Sequence, residues 1–191
     1  MNTKKRIIRI LKEGGIGVLP TDTIYGLVGS ALSSETVDRI YRLRRRNLKK
    51  PMIILVSSLR NLGLFGVKMD SRLKKKLLQF WPGKISIILP CTSRKFFYLH
   101  RGKKSLAFRL PAWQWLRNLL MKTGPLVAPS ANFEGLKPAK NIKEAEKYFG
   151  SQVDFYLDKG ELVSSPSNLI KMKNNEVIAR RLRLIKASWM T

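Results

Sequence analysis

Six short polar turns, each set against an apolar run, hold most of the residues in this chain that could do chemistry. They are "PTDT" (20–23), "RRRNLKKP" (44–51), "FRLP" (108–111), "APSAN" (128–132), "SSPSN" (164–168) and "ARR" (179–181). Hydroxyls and backbone N–H groups on turns bind phosphate and carboxylate oxygens. Arginines add charge-assisted, often bidentate partners. Taken singly, each turn has a plain structural reading: "PTDT" as a self-satisfied turn, "PSAN" as a helix cap. In their order along the chain they describe a pocket for an anion-rich small molecule. Chemistry there would be done by positioning and charge stabilisation.

Other chemistries lack their residues. No Cys/His/Asp/Glu cluster has metal-ligand spacing, and there is no Walker loop or G-x-G-x-x-G run. A Ser-His-Asp triad would hang on His100, the only histidine, which sits in the basic stretch "YLHRGKK" and reads as a solvated loop residue. Cys91 is the only cysteine, reads as an inert thiol and can form no intrachain disulfide, which fits a reducing cytoplasm. No apolar run approaches the roughly 18–20 residues of a membrane span. The basic start "MNTKKRIIRILKEGG" has helical spacing and no apolar h-region, so it does not read as a signal peptide.

Charge is the unusual quantity. Lys and Arg number 38 against 12 Asp and Glu, a net charge of +26 over 191 residues. Such a surface repels itself unless a polyanion offsets it, and nucleic acid leads the candidates. A proteome with a generally basic leaning is the bland alternative.

These turns need elements to hold them. Thr3 caps a first helix with Ile7, Ile10 and Leu11 on one face, ended by Gly14 and Gly15. "IGVL" (16–19) is a strand, "YGLVGSA" resumes extended structure, and Ser33 or Ser34 caps a helix with Val37, Ile40 and Tyr41 inside. Strands follow over 51–56, 84–90, 105–111 and 124–132, and helices over 71–80, 112–121 and 141–150. "VDFYLD", "SNLIKM" and "EVIARR" are late strands, and Trp81, Trp113, Trp115 and Trp189 read as core or helix-face residues. Alternation without a strict βαβ rhythm predicts an α/β (α+β) fold, a mixed sheet with helices on its faces. With 44% apolar residues and no linker or repeat, one domain over 1–191 is expected.

Over residues 12–182 the chain resembles the YrdC/Sua5 threonylcarbamoyl-adenylate synthases. The resemblance lies in "GGIGVLPTDTIYGL", "LRRRNLKKPMIIL", "WPGKISIIL", "LAFRLP", "GPLVAPSAN", "LDKG" and "PSNLI". It implies a twisted mixed sheet with a basic ligand cleft. It also implies an enzyme that joins L-threonine, bicarbonate and ATP into L-threonylcarbamoyl-adenylate and pyrophosphate, with Mg²⁺ on the ATP and no dedicated protein metal site. A partner transferase then modifies adenosine 37 of tRNA, touched directly and weakly or only through that partner. By the family pattern Thr23, Arg109, Ala128 and Ser167 hold threonine, and Arg44 and Arg46 are the catalytic cations. Arg46, Lys50, Ser105, Ser130, Asn132 and Arg180 fall where the family binds ATP. The chain departs from the pattern at Arg44 (usually Lys), Asn47 (Pro), Leu55 (His in some members), Ala139 (near a serine), Asn168 (Thr) and in "ARRLR". Two other readings compete: a non-catalytic RNA-binding module on the same fold, and the carbamoyl-transfer relative found within long hydrogenase-maturation chains, which the short length opposes. Lysines such as those of "LKKK" (73–76) and "RGKK" (101–104) are expected outside the pocket.

Overall fold

The computed structural model describes residues 3–173 and 176–181. Trp189 lies outside the described residues, as does the Arg180 side chain. The strands are β1 (Ile16–Pro20), β2 (Tyr25–Ser30), β3 (Ile53–Leu55), β4 (Ile85–Pro90), β5 (Ser105–Arg109), β6 (Leu126–Val127), β7 (Phe155–Tyr156), β8 (Asn168–Lys173) and β9 (Glu176–Arg181). The helices are α1 (Thr3–Lys12), α2 (Ser34–Leu43), α3 (Ser71–Leu77), α4 (Phe97–His100), α5 (Gln114–Thr123) and α6 (Ile142–Phe149). The strands form one nine-stranded sheet in the order β7-β1-β2-β6-β3-β5-β4-β8-β9. Pairs β1/β7, β3/β5 and β4/β8 are parallel and the rest antiparallel, the mixed sheet expected.

Local chemistry sets the helix starts. The Ser33 side chain accepts from Thr36 N at 3.1 Å, Asp70 from Leu73 N at 2.6 Å and Asn141 from Glu144 N at 2.9 Å, each satisfying an orphan first-turn donor. Thr3 is itself the first helical residue rather than the cap. The strand expected over 51–56 shortens to three residues, following Pro51, which has no N–H to give a ladder. The strand expected over 124–132 is regular only at Leu126 and Val127, and "APSAN" then stays against β2 irregularly, through a Gly26–Ser130 bridge and bonds from Leu27 N to Pro129 O and from Ala131 N to Tyr25 O.

The sheet's two faces are covered unequally. In one row Ile170, Ile87, Phe108, Ile54 and Val127 stand opposite one another across β8, β4, β5, β3 and β6. All five belong to the main core, together with Val37 and Ile40 of α2, Leu73 and Leu77 of α3 and Phe149 of α6. On the other face α1 (Ile7, Leu11) and α5 (Leu116, Leu119, Leu120) bury Leu19, Val28, Leu55 and Leu126 in a second cluster. That cover reaches β1, β2, β6 and one end of β3. Beyond it the next row, Lys171–Ile88–Ala107–Ile53, lines an open cleft.

Two contacts pin the covered half. Asp154 Oδ2 accepts from Ile16 N at 2.7 Å, tying β1 to the β7 segment, and Arg39 bridges to the same carboxylate at 2.8 Å. Gly17 lies under Phe155, where an added Cβ would meet ring carbons at 2.4 Å. Gly17→Ala must therefore push the ring or the edge strand aside. It is expected to lower stability by about 1–3 kcal/mol, the usual cost of overpacking. Urea denaturation checks this, and a wild-type midpoint would mean that β7 yields freely.

Candidate active site

The cleft of about 520 Å³ sits over the uncovered half of the sheet. Of the residues the sequence singles out, Thr23, Arg44, Arg46, Ser105, Arg109, Ala128, Ser130 and Ser167 all line it. They come from five separate stretches, which the sheet order brings together.

The "PTDT" turn is a closed hydrogen-bond network. Thr21 Oγ1 donates to Ile24 O at 2.7 Å, which uses its one hydrogen. It also accepts from Thr23 N and Ile24 N. The 2.9 Å contact between the Thr21 and Thr23 hydroxyls must then be donated by Thr23. Arg109 Nη1 donates to Thr23 Oγ1 at 2.8 Å. Thr23 is left with acceptor capacity alone, so what it can offer a ligand in the cleft is a lone pair.

Arg109 ends β5, where alternation puts Ser105, Ala107 and Arg109 on the cleft face. It is 4% exposed. Its Nη2 lies 3.4 Å from Asp22 Oδ1, and that carboxylate accepts from Ala112 N at 2.8 Å through Oδ2. Burial pushes the Arg109 pKa down, and the Asp22 charge opposes that fall. Asp22 went unnoticed as a site residue in the sequence, although it stands between the two threonines. Its fully buried side chain is the counter-charge that lets Arg109 stay ionised.

The basic run divides its labour. Arg44 is 2% exposed and reaches across to the "PSAN" turn. Its Nε donates to Asn132 O at 3.0 Å, and Nη2 to Ser130 Oγ and Asn132 Oδ1 at 3.2 Å each. Nη1 is buried without a partner. Burial first, then Arg46, lowers its pKa to about 10, with Glu134 opposing, so it is a cation at neutral pH. Arg46 is braced by Lys50 O and Pro51 O at 3.0 Å through Nε and Nη2, leaving Nη1 for the cleft. Arg45 turns away in a left-handed conformation (φ 49°) and stacks its guanidinium 4.4 Å from the Phe133 ring centre.

Two expected ATP residues, Lys50 and Asn132, do not line the cleft. Lys50 is not on the cleft lining; its ammonium pairs with Glu134 at 2.5 Å. That hydrogen bond and the one from Asn47 N hold the Glu134 pKa below the usual carboxylate range. Asn132 also stands behind the lining, where it serves Arg44. The backbone of Arg180 pairs with Ile170 in the β8–β9 ladder, and its side chain lies outside the described residues.

Further residues enter the cleft or support it. Lys103, set apart from the pocket by sequence reasoning, lines it, as does Lys171. Ser86, wholly buried on β4, shares a 2.8 Å hydrogen bond with the Ser167 hydroxyl. Tyr25 O–H donates to Gly160 O at 2.8 Å and accepts from Lys159 N at 3.0 Å, so "LDKG" is moored to the strand that follows "PTDT". His100 is not solvated: it is 3% exposed, and its Nδ1 accepts from Gly102 N at 3.2 Å. Cys91 is buried and donates to Phe65 O.

The Sua5/YciO/YrdC family, described as telomere recombination, matches residues 9–182. The chain belongs to this family. A threonylcarbamoyl-AMP synthase of Pyrococcus abyssi is 30% identical over 84% of this chain and 50% of its own length. One of Marinobacter nauticus is 30% identical over 74% of this chain and 75% of its own. The structure of P. abyssi Sua5 complexed with L-threonine superposes with a TM-score of 0.81 at 26% identity, covering 88% of this chain and 50% of that one. The solution structure of MTH1692 from Methanobacterium thermoautotrophicum superposes at 0.75 with 27% identity over 97% of this chain and 89% of that one. The chain thus spans half the length of its P. abyssi relative.

Breaking the buried pair should be costly. Asp22→Ala strands Arg109 uncompensated and is expected to cost about 3–5 kcal/mol. A denaturation midpoint near wild type would show that Thr23 and solvent suffice to hold Arg109.

Proposed function

We propose that this chain joins L-threonine, bicarbonate and ATP into L-threonylcarbamoyl-adenylate with release of pyrophosphate, the adenylate serving later modification of tRNA adenosine 37. The observation that carries the reading is the cleft lining itself. Among the described residues five cations, Arg44, Arg46, Lys103, Arg109 and Lys171, and the hydroxyls of Thr21, Thr23, Ser105, Ser130 and Ser167 share one cleft, and none of those residues that line it is a carboxylate. Such a lining suits the assembly of two anionic reactants whose joining requires no protein nucleophile. The threonine in the P. abyssi Sua5 structure supports the amino-acid half.

The chemistry follows from these groups. Free guanidinium donors of Arg109 meet the substrate carboxylate, while the Thr23 lone pair takes a substrate donor, its amine or its hydroxyl. The amine and bicarbonate combine into a carbamate with loss of water. A carbamate oxygen attacks the α-phosphorus, the α–β bridging P–O bond breaks, and pyrophosphate leaves with the electron pair. Arg46 stabilises the charge that develops on the phosphoryl oxygens. Arg44 acts through Ser130 and Asn132, holding the "PSAN" wall in place.

Among the described residues no group of three or more His, Cys, Asp or Glu could hold a metal, and the cleft offers hydroxyls and cations. The donor set does not fit a protein-held divalent ion, so Mg²⁺ would arrive on the phosphate oxygens of ATP, where it offsets their charge. Among the described residues no helix is long and apolar enough to cross a membrane. The surplus charge of +26 suits weak, salt-sensitive contact with tRNA beside the reaction rather than in it.

Threonine- and bicarbonate-dependent release of pyrophosphate from ATP is the test, and its absence in folded protein rejects the reading. Thr23→Val and Ser167→Ala should each raise the KM for threonine by an amount worth about 1.5–3 kcal/mol, the value of a hydrogen bond to a charged group. An unchanged KM in both would remove the two turns from the threonine site. Arg46→Ala should slow adenylate formation by on the order of 100-fold with a normal melting curve. Near-normal turnover would leave Arg46 a structural brace.

A further inference from the structure

The cleft's five cations are not equivalent. Arg44, Arg46 and Arg109 spend donors on Asn132, Ser130, Lys50, Pro51, Thr23 and Asp22. Among the described residues the ammonium groups of Lys103 and Lys171 make no hydrogen bond or ion pair. We propose that Lys103 and Lys171 form a polyphosphate subsite that receives the β- and γ-phosphates of the nucleotide and retains pyrophosphate as it leaves. The proposal rests on the adenylating reading above.

Position supports it. Lys171 stands opposite Ile88 in the cleft-lining row Lys171–Ile88–Ala107–Ile53. Lys103 precedes Ser105 at the end of β5 remote from Arg109. Ser105 and Arg109 are four residues apart on one strand, about 13 Å at 3.3 Å per residue. A threonine held at Arg109 therefore leaves this end of the cleft to the distant part of a long anion.

Chemistry narrows the occupant. Ammonium groups donate and cannot accept. They suit a group that is all acceptor, as phosphate is and an amino-bearing nucleobase is not. A lysine is a point charge on a flexible stem, able to follow a departing anion, whereas the braced arginines are fixed. The base of Lys103 is nevertheless rigid. Its N–H donates to His100 O at 2.8 Å, Gly102 N donates to His100 Nδ1 at 3.2 Å, and Gly102 sits at φ +83°. The buried His100 is thus the anchor that aims this turn at the cleft.

The experiment is calorimetric titration of inorganic pyrophosphate, ATP and AMP, without threonine, into wild type, the Lys103→Gln/Lys171→Gln double variant and the corresponding double arginine variant. The double glutamine variant should bind pyrophosphate and ATP weaker by on the order of tenfold or more. AMP should change little, and arginine should restore most of the loss. Equal weakening of AMP and pyrophosphate would reduce the lysines to a diffuse field and overturn the subsite. Unchanged pyrophosphate affinity, or none in wild type, would overturn it as well. Pyrophosphate binding that depends on the lysines, in a protein without threonine-dependent turnover, would uphold the subsite and sink the synthase reading instead.

Discussion

A sheet has two faces, and the governing constraint here is that, among the described residues, helices cover only one and a half of them. The main core takes one face along nearly its whole width. On the other, α1 and α5 stop after burying Leu19, Val28, Leu55 and Leu126. Where they stop, side chains on alternate strand positions must tolerate water and charge. Ser105, Ala107 and Arg109 on β5 and Leu169 and Lys171 on β8 do so, while their in-between neighbours Leu106, Phe108 and Ile170 are buried. The site is the part of the sheet left uncovered, so whatever sets the helix boundary sets the cleft.

Charge inside that cleft is held by protein acceptors before any substrate arrives. Arg109 has Asp22 and Thr23, and Arg44 has Ser130 and Asn132. A guanidinium taken from water loses several kcal/mol of solvation unless such partners replace it. The same partners fix its orientation, which spares the reaction the cost of ordering it. One structural debt thereby serves function: the groups that keep the arginines soluble in the fold also aim them. Glu134 plays the corresponding part at the surface, where it gathers Asn47 N and Lys50 and so shapes the loop that carries Arg46.

Much of this was legible in the residues. Caps at Ser33 and Asn141 and the 3.6-residue spacing of Val37, Ile40 and Tyr41 announce their helices because those signals are local. Most of the strands were expected near their places, since β-branched runs between turns are also local signals. Eight of the site residues implied by the family resemblance do meet in the cleft. The misses share a cause. His100 looked solvated because its neighbours are basic, yet burial is decided by what packs above it, not by the adjoining sequence. Lys50 looked like a phosphate ligand, but Glu134, 84 residues away, claims it. Lys171 was on the page as every second residue after Ser167 and Leu169, a period-2 signal that points only once the facing side of β8 is known.

By itself, the sequence determined the element types, the polar turns and a family whose match runs over residues 9–182. These depend on interactions a few residues long or on motifs read in order. The tertiary structure alone decided the strand order that sets β6 between β2 and β3, and with it the meeting of the "PTDT" and "PSAN" turns. It also decided that Asp22 is the counter-charge of Arg109, that Arg44 is a clamp, and that Lys103 and Lys171 line the same cleft. The physical reason is range. A cap or a strand answers to its neighbours, whereas desolvation and charge pairing answer to whichever distant groups the closed sheet places within a few ångströms.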